Sequence, residues 1–315
     1  MKAVFLDVEG LEDCNLNALN EICGSIDMYP ATQPDELASR IDGAEIIILN
    51  KVKIDSETLQ SATALKLICV VATGVDVVDL KAAKEAGVTV CNCQAYGIDS
   101  VVQHVFSSIL ALHTSLLQYN KAVGEGRWQT SRQFCFLDYP IIELKGKKLG
   151  IIGYGNLGKG VAKIAEAFGM EVLVGARPGA TDDSRMSIDE LLAEADVITL
   201  HCPLNDATRN LIDEAALARM KPTAFLVNAA RGGIVDEIAL AAALKNGIIA
   251  GAAFDVLTVE PPKDGNPLLN SNIPNLIVTP HVAWASKEAR QRIIAQTVEN
   301  IKGYISKSPL RVVNG

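Results

Sequence analysis

Apolar residues in this chain come in short unbroken runs rather than in strict alternation. Val4–Leu6, Ile46–Leu49, Leu67–Val71 and Val88–Val90 fall in the first third. After a long gap follow Leu149–Ile152, Val172–Val174, Val197–Leu200, Ala224–Val227, Ala252–Phe254 and Leu276–Val278. Each run has strand length, and helix-length amphipathic stretches separate them. A strand that is apolar on both faces must be covered on both faces, so the pattern predicts two sets of parallel strands packed between helices. The punctuation agrees. Ser187-Ile188-Asp189-Glu190 has the spacing of a capping box, in which hydroxyl and carboxylate each satisfy an orphan amide. Gly169 and Gly247 follow helical stretches, where a left-handed residue ends a helix. Ser100 to Leu117 predicts a long apolar helix between the two strand sets, and Lys287–Ser306 a last helix. With that last helix returning to the first set, the fold class is α/β: two Rossmann-like, doubly wound parallel-sheet domains, one inserted in the other. The discontinuous domain takes residues 1–99 plus 287–315, and residues 100–286 form the inserted one.

Composition narrows the function classes. The 315 residues suit about two domains. A chain this long needs no disulfide or metal staple. The net charge of −8 argues against nucleic acid and against an anionic membrane surface as partners. It does not exclude a small anionic ligand, because net charge is global and a pocket is local. No stretch approaches the roughly 20 apolar residues of a membrane span. At the start, Asp7 and Glu9 interrupt the apolar run, so it reads as a first strand and not a secretory signal. The 7 cysteines are odd in number and scattered, which fits buried thiols in a reducing cytoplasm. Cys91-Asn92-Cys93 is the one close pair and has no second pair or nearby His to complete a zinc set, so no metal is expected.

The strongest motif is Gly153-Tyr154-Gly155-Asn156-Leu157-Gly158, between an apolar strand and a helix over Lys159–Phe168 closed by Gly169. Gly153 allows a tight turn, Gly155 lets backbone approach a pyrophosphate, and Gly158 permits close helix–strand packing. The helix start then offers free amides and a positive dipole end to phosphate. That context predicts a dinucleotide-binding domain. An Asp or Glu is expected at the end of the next strand, to take the ribose hydroxyls of NAD. Here Glu171–Val174 runs into Gly175-Ala176-Arg177, with no acid there. A small residue beside an arginine accommodates a 2′-phosphate, so NADP is expected at least to be tolerated. The alternative is that Arg177 stacks on adenine and NAD is used.

Polar residues follow several of the second set of strands: His201-Cys202-Pro203, Asn228 to Arg231, Asp255 with Glu260 beyond it, and His281. In an open parallel sheet such strand ends converge on one crevice. Reduction of a 2-keto acid needs a fixed cation on the carboxylate, a proton donor near neutral pKa at the keto oxygen, and a carboxylate to orient that donor. Arg231, His281 and Glu260 can fill these roles. Singly, each has a plainer reading: Arg231 a surface ion pair, Glu260 a loop acid, His201 and His281 structural histidines. The two histidines are not well separated by sequence; the proton donor is assigned to His281, and His201 is left as a loop residue near the cofactor.

These residues resemble the D-isomer-specific 2-hydroxyacid dehydrogenase family over essentially the whole chain. The carriers are Ala72–Asp79, Gly150–Gly158, His201–Arg209, Met220-Lys221-Pro222, Asn228–Asp236, Gly251–Val256, Val259-Glu260-Pro261 and Thr279–Ser286. The resemblance implies an Arg231, Glu260 and His281 triad. It implies cofactor contacts at Gly153, Gly155, Asn156, Leu157, Gly158, Arg177, Cys202, Pro203, Thr208, Ala229, Ala230, Arg231 and Asp255, with Asp255 facing the nicotinamide. Backbone near Gly74 and Val75 would bind the substrate carboxylate, together with Arg231. It also implies an active site in an interdomain cleft and a homodimer. Asn50-Lys51, Arg177–Ala180 and Ala283-Trp284 are most similar to glycerate dehydrogenases, also called hydroxypyruvate reductases. The implied reaction interconverts hydroxypyruvate or glyoxylate with D-glycerate or glycolate. Lys51 would then add positive potential over the substrate, or is a solvated strand-end lysine. Trp284 would wall a small pocket, or is a core residue. Other readings are a cofactor-sensing corepressor on the same fold, and the same enzyme class acting on D-lactate-type, formate or phosphite substrates.

Overall fold

The computed structural model describes residues 1–180, 183–270 and 272–315. In chain order the strands are β1 (Lys2–Phe5), β2 (Ser25–Met28), β3 (Ile46–Leu49), β4 (Leu67–Val70), β5 (Thr89–Cys91), β6 (Lys148–Ile152), β7 (Glu171–Val174), β8 (Val197–Leu200), β9 (Phe225–Asn228), β10 (Gly251–Phe254) and β11 (Leu276–Val278). The helices are α1 (Asn17–Cys23), α2 (Pro34–Ile41), α3 (Ser56–Ser61), α4 (Leu80–Glu85), α5 (Ile98–His113), α6 (Leu116–Gly124), α7 (Asn156–Ala167), α8 (Ile188–Glu194), α9 (Glu214–Arg219), α10 (Glu237–Lys245) and α11 (Lys287–Ile305).

The chain divides into two compact units: Met1–Gly97 with Ala285–Gly315, and Ile98–Trp284. The first holds a five-stranded sheet in the order β2-β1-β3-β4-β5, all pairs parallel. The residues of β3 and β4 are fully buried, as unbroken apolar runs require. β2 has no such run. Its Ser-Ile-Asp-Met alternates exposed and half-covered positions at the sheet edge, so it escapes a search for apolar runs. The C-terminal segment completes this unit. Val313 N donates to Val90 O at 2.9 Å, and the Asn314 side chain takes Val90 N at 2.9 Å. In α11 the buried face is Ile293, Ile294, Val298 and Ile301.

The second unit holds a six-stranded parallel sheet in the order β11-β10-β9-β8-β6-β7. The order reverses at β6, so the crevice of the sheet opens beyond the carboxyl ends of β6 and β8. Two helix boundaries differ from the sequence expectation. The long apolar helix begins at Ile98 and stops at His113, because Ser115 takes a left-handed φ of 50° and restarts the chain as α6. The Ser115 hydroxyl holds the break by donating to Pro140 O at 2.7 Å. The helix after the glycine motif starts at Asn156, inside the motif, rather than at Lys159. Ser187 and Glu190 do form the capping box, and Gly169 and Gly247 have φ of 73° and 66°. Among the described residues no single helix is long and apolar enough to cross a membrane.

Candidate active site

The glycine turn after β6 is shaped by contacts that a side chain would destroy. Gly153 has φ 99°, and a Cβ there would stand 2.5 Å from the backbone nitrogen of Cys202. A Cβ on Gly158 would stand 2.3 Å from Gly153 O. Gly155, the N-cap of α7, is different: nothing lies within 4 Å of the Cβ it lacks. The protein therefore needs the first and third glycines for its own packing, while the second leaves space before the helix start. The first intrahelical bond is Lys159 N to Gly155 O, which leaves the amides of Asn156, Leu157 and Gly158 without helical partners. Open space, free amides and a positive helix end fit the pyrophosphate of a dinucleotide.

Beside this turn, β8 delivers His201-Cys202-Pro203. His201 N donates to Ile152 O at 2.8 Å, tying the two strand ends together. The residue is half-buried. Its Nε2 pairs with Thr199 Oγ1 at 2.9 Å, and its Nδ1 is buried with no partner. Burial pushes the imidazole down to about 4, so His201 is neutral at pH 7. The Cys202 thiol is pushed up to about 11 by burial and is not a nucleophile at neutral pH. Thr208 spends its hydroxyl on the same loop, donating to Pro203 O at 2.7 Å and accepting from Asn205 N at 2.8 Å. At the end of β7, Ala176 N donates to Met186 O and the Arg177 side chain is exposed. The Arg177 amide donates to Asp183 Oδ2 at 2.8 Å. Asp183 also pairs with the Arg185 guanidinium, which holds its carboxyl well below the usual range. An acid thus reaches the residue after Ala176 from the following turn, where a search of the strand end alone misses it.

The remaining strand ends carry the ionisable groups. After β9, the Asn228 side chain donates to Arg231 O at 3.0 Å and accepts from Ala230 N at 3.1 Å, closing the turn through Ala229 and Ala230. Arg231 projects from that turn and is exposed, with Nη1 donating to Ala230 O at 2.7 Å. After β10, Asp255 is 2 % exposed. Its carboxylate is consumed locally, accepting from Thr279 Oγ1, Val282 N and Ala283 N. After β11, His281 has a left-handed φ of 54°, which costs a non-glycine residue about 1–2 kcal/mol. Its amide donates to Asp255 O at 2.7 Å, and Trp284 Nε1 donates to its carbonyl at 2.9 Å. These contacts hold the turn. His281 Nδ1 and Glu260 Oε2 are 2.7 Å apart, which leaves Nε2 as the outward ring nitrogen. The other Glu260 oxygen accepts from Leu257 N at 2.8 Å, and the Glu260–Pro261 peptide is cis. Sequence reading missed His104, on α5, whose Nε2 lies 3.2 Å from Thr279 Oγ1 and 3.7 Å from Asp255 Oδ1. Nothing in the helical pattern around His104 marks it.

Lys51, Gly74 and Val75 belong to the first unit. The half-buried carboxylate of Asp7, just beyond β1, accepts from the amides of Asn50, Lys51 and Val52 at 2.7, 2.6 and 3.2 Å. Burial pushes Asp7 up against the lowering effect of these bonds. Lys51 is exposed on the loop so held. The amides of Gly74 and Val75 have no acceptor among the described residues.

Residues 106–283 match the family model described as the NAD-binding domain of D-isomer-specific 2-hydroxyacid dehydrogenases. The glycerate dehydrogenase of Methylorubrum extorquens is 47% identical over 312 residues, covering 99% of this chain and 98% of that protein. The chain belongs to the D-isomer-specific 2-hydroxyacid dehydrogenase family. The hydroxypyruvate reductase of Blautia hydrogenotrophica is 39% identical over 98% of this chain and 95% of its own. A solved acyclic imino acid reductase, in complex with NADPH and D-Arg, is 29% identical with a TM-score of 0.84, covering 99% of this chain and all of the other. The family's NAD-binding domain model ends at residue 283, just beyond His281, so it takes in Arg231, Glu260, His281 and the glycine turn.

Proposed function

We propose that this protein reduces hydroxypyruvate and glyoxylate to D-glycerate and glycolate with a nicotinamide coenzyme, and catalyses the reverse. The observation that carries the reading is the His281–Glu260 pair at 2.7 Å, standing at a strand end of the same sheet that bears the glycine turn. The bound nicotinamide supplies the hydride. Arg231 binds the substrate carboxylate and polarises the keto group, as a fixed planar cation suits both. His281 donates the proton from Nε2 to the oxygen that becomes the hydroxyl. Glu260 fixes the tautomer and stabilises the charged ring. Asp255 acts by pinning Val282 and Ala283, and so the turn that carries His281. Lys51 and the unspent amides of Gly74 and Val75 suit an anionic carboxylate, and Trp284 limits the size of the substrate. Names of the similar glycerate dehydrogenase and hydroxypyruvate reductase support the choice of substrate.

For the coenzyme, Ala176 and the exposed Arg177 favour tolerance of a 2′-phosphate, and the similar imino acid reductase was solved with NADPH. Asp183, at the Arg177 amide, is the group that would favour NAD. We assign use of both. Exposed Trp128, Phe134, Leu137 and Ile141, in the segment after α6, support a homodimer. The 7 free thiols support a cytoplasmic location.

The test is steady-state kinetics on hydroxypyruvate, glyoxylate and pyruvate with NADH and NADPH. Turnover is expected on the first two with either coenzyme. His281→Ala is expected to lower kcat on the order of 100-fold or more while NADH binding is kept. A wild-type protein that binds NADH and turns over none of the acids would sink the proposal in favour of a coenzyme sensor. NADPH kcat/KM below about a hundredth of that for NADH would remove the dual-coenzyme assignment.

A further inference from the structure

Glu237 opens α10, just after its N-cap Asp236, whose carboxylate takes the amides of Ile238 and Ala239 at 3.0 Å each. An acid in a first helical turn is ordinarily a solvated group favoured by the helix dipole. Glu237 instead turns inward and is 9% exposed. Its Oε1 accepts from Thr258 N at 2.7 Å and from Thr258 Oγ1 at 2.9 Å. Its Oε2 accepts from Asn266 Nδ2 at 2.6 Å. The Asn266 amide has only this orientation to offer, because its Oδ1 already accepts from Leu268 N at 2.9 Å and starts the 3-10 helix Pro267–Leu269. One buried carboxylate thus clamps both ends of the segment 258–266, and Glu260 lies between them.

The same segment is docked on the Arg231 turn. A Cβ on Gly232 would lie 1.9 Å from Leu257 O, so the two backbones are in direct contact. Leu257 N is also the donor to Glu260 Oε1. The stretch Leu257–Thr258 therefore touches the Arg231 turn on one side, Glu237 on another and Glu260 on a third.

We infer that Glu237 is a positioning residue: through the stretch Leu257–Thr258 it sets where Glu260 stands against His281. This rests on the function proposed above. A carboxylate is required rather than any buried polar group. Glutamine would keep an acceptor for Thr258 but set an N–H against the Asn266 N–H, and Asn266 cannot turn over without uncapping the 3-10 helix.

The experiment uses the full chain as wild type, Glu237→Gln, Glu260→Gln and the double variant. It reads kcat and KM for hydroxypyruvate, the kcat–pH profile, NADH affinity by fluorescence and the thermal midpoint. Glu237→Gln is expected to lower kcat on the order of tenfold, as a small misplacement near reacting groups does, with NADH affinity within about twofold of wild type. Its pH profile should move in the same direction as that of Glu260→Gln. In the Glu260→Gln background the same substitution should change kcat by less than about twofold, since the group it acts through is already altered. An equal drop in both backgrounds, an unchanged kcat, or a loss confined to NADH affinity or to thermal stability would overturn the inference. Asn266→Ala removes the other end of the clamp and should show the same background dependence; it decides the matter if Glu237→Gln does not fold. A wild type without turnover, or indifferent to Glu260→Gln, would instead refute the functional reading itself.

Discussion

His201 and His281 both follow apolar strands of the same sheet and carry the same ring, and their surroundings give them opposite properties. The His201 ring has one nitrogen paired with Thr199 Oγ1 and the other buried and unpaired. His281 is about a third exposed and faces a carboxylate. In the sequence each is only a histidine after an apolar run, because the burial of His201 and the Glu260 partner of His281 appear only on folding. A stability consequence follows for His201. Its folded pKa of about 4 lies below the 6.5 of an exposed ring, so the unfolded chain binds the extra proton first. The native state keeps its full advantage above pH 6.5 and loses it as pH falls from there toward 4. Between pH 7 and pH 5 this one ring should cost about 2 kcal/mol of unfolding free energy. His201→Gln retains a polar partner for Thr199 and cannot titrate. Denaturant titrations of both proteins at pH 7 and pH 5 should therefore show a smaller pH loss in the variant. Parallel losses would show that other groups carry the acid sensitivity.

At the scale of elements, what was legible was what is local. The glycine turn depends on the φ of Gly153 and on the Gly158–Gly153 contact, so Gly153, Gly155 and Gly158 announce it in order, although Cys202 also closes on Gly153 from just beyond β8. The capping box at Ser187 is equally self-contained. What stayed hidden depends on remote groups. β2 is a strand because β1 lies beside it, and the break at Ser115 is fixed by Pro140, 25 residues on. The Glu237 clamp was hidden for the same reason, since its partners lie 21 and 29 residues away. The three glycines, alike in the motif, should separate in experiment. Gly155→Ala meets no protein atom and has an ordinary φ of −80°, so its thermal midpoint should stay within about 2 °C of wild type. NADH affinity should nevertheless fall about tenfold or more, because the added methyl enters the space reserved for phosphate. Gly153→Ala and Gly158→Ala should lose stability as well, by collision with Cys202 N and Gly153 O. A Gly155→Ala protein that binds NADH normally would show that the open space serves no ligand.

For the whole molecule, the net charge of −8 constrains the choice of partner little, since an anionic acid is received by single cations and amides. The division of the chain has more consequence. The unit Ile98–Trp284 is continuous and contains the six-stranded sheet, the glycine turn, Arg231, Glu260 and His281. The other unit is assembled from two segments, and its second segment brings α11. Fully burying Ile293, Ile294, Val298 and Ile301 contributes roughly 6–12 kcal/mol at 1.5–3 kcal/mol per side chain. That is as large as the whole net stability of an ordinary domain, about 5–15 kcal/mol. Residues 1–97 alone should therefore fail to fold, although they supply every strand of their sheet. Residues 98–284 alone should melt cooperatively and bind NADH, with no turnover. A chain ending at Trp284 should show one cooperative transition belonging to the continuous unit, with the five-stranded sheet unformed. Circular dichroism melts and NADH fluorescence on the three fragments read this directly. A cooperative melt from residues 1–97 would mean that their own apolar core suffices and that α11 only covers it.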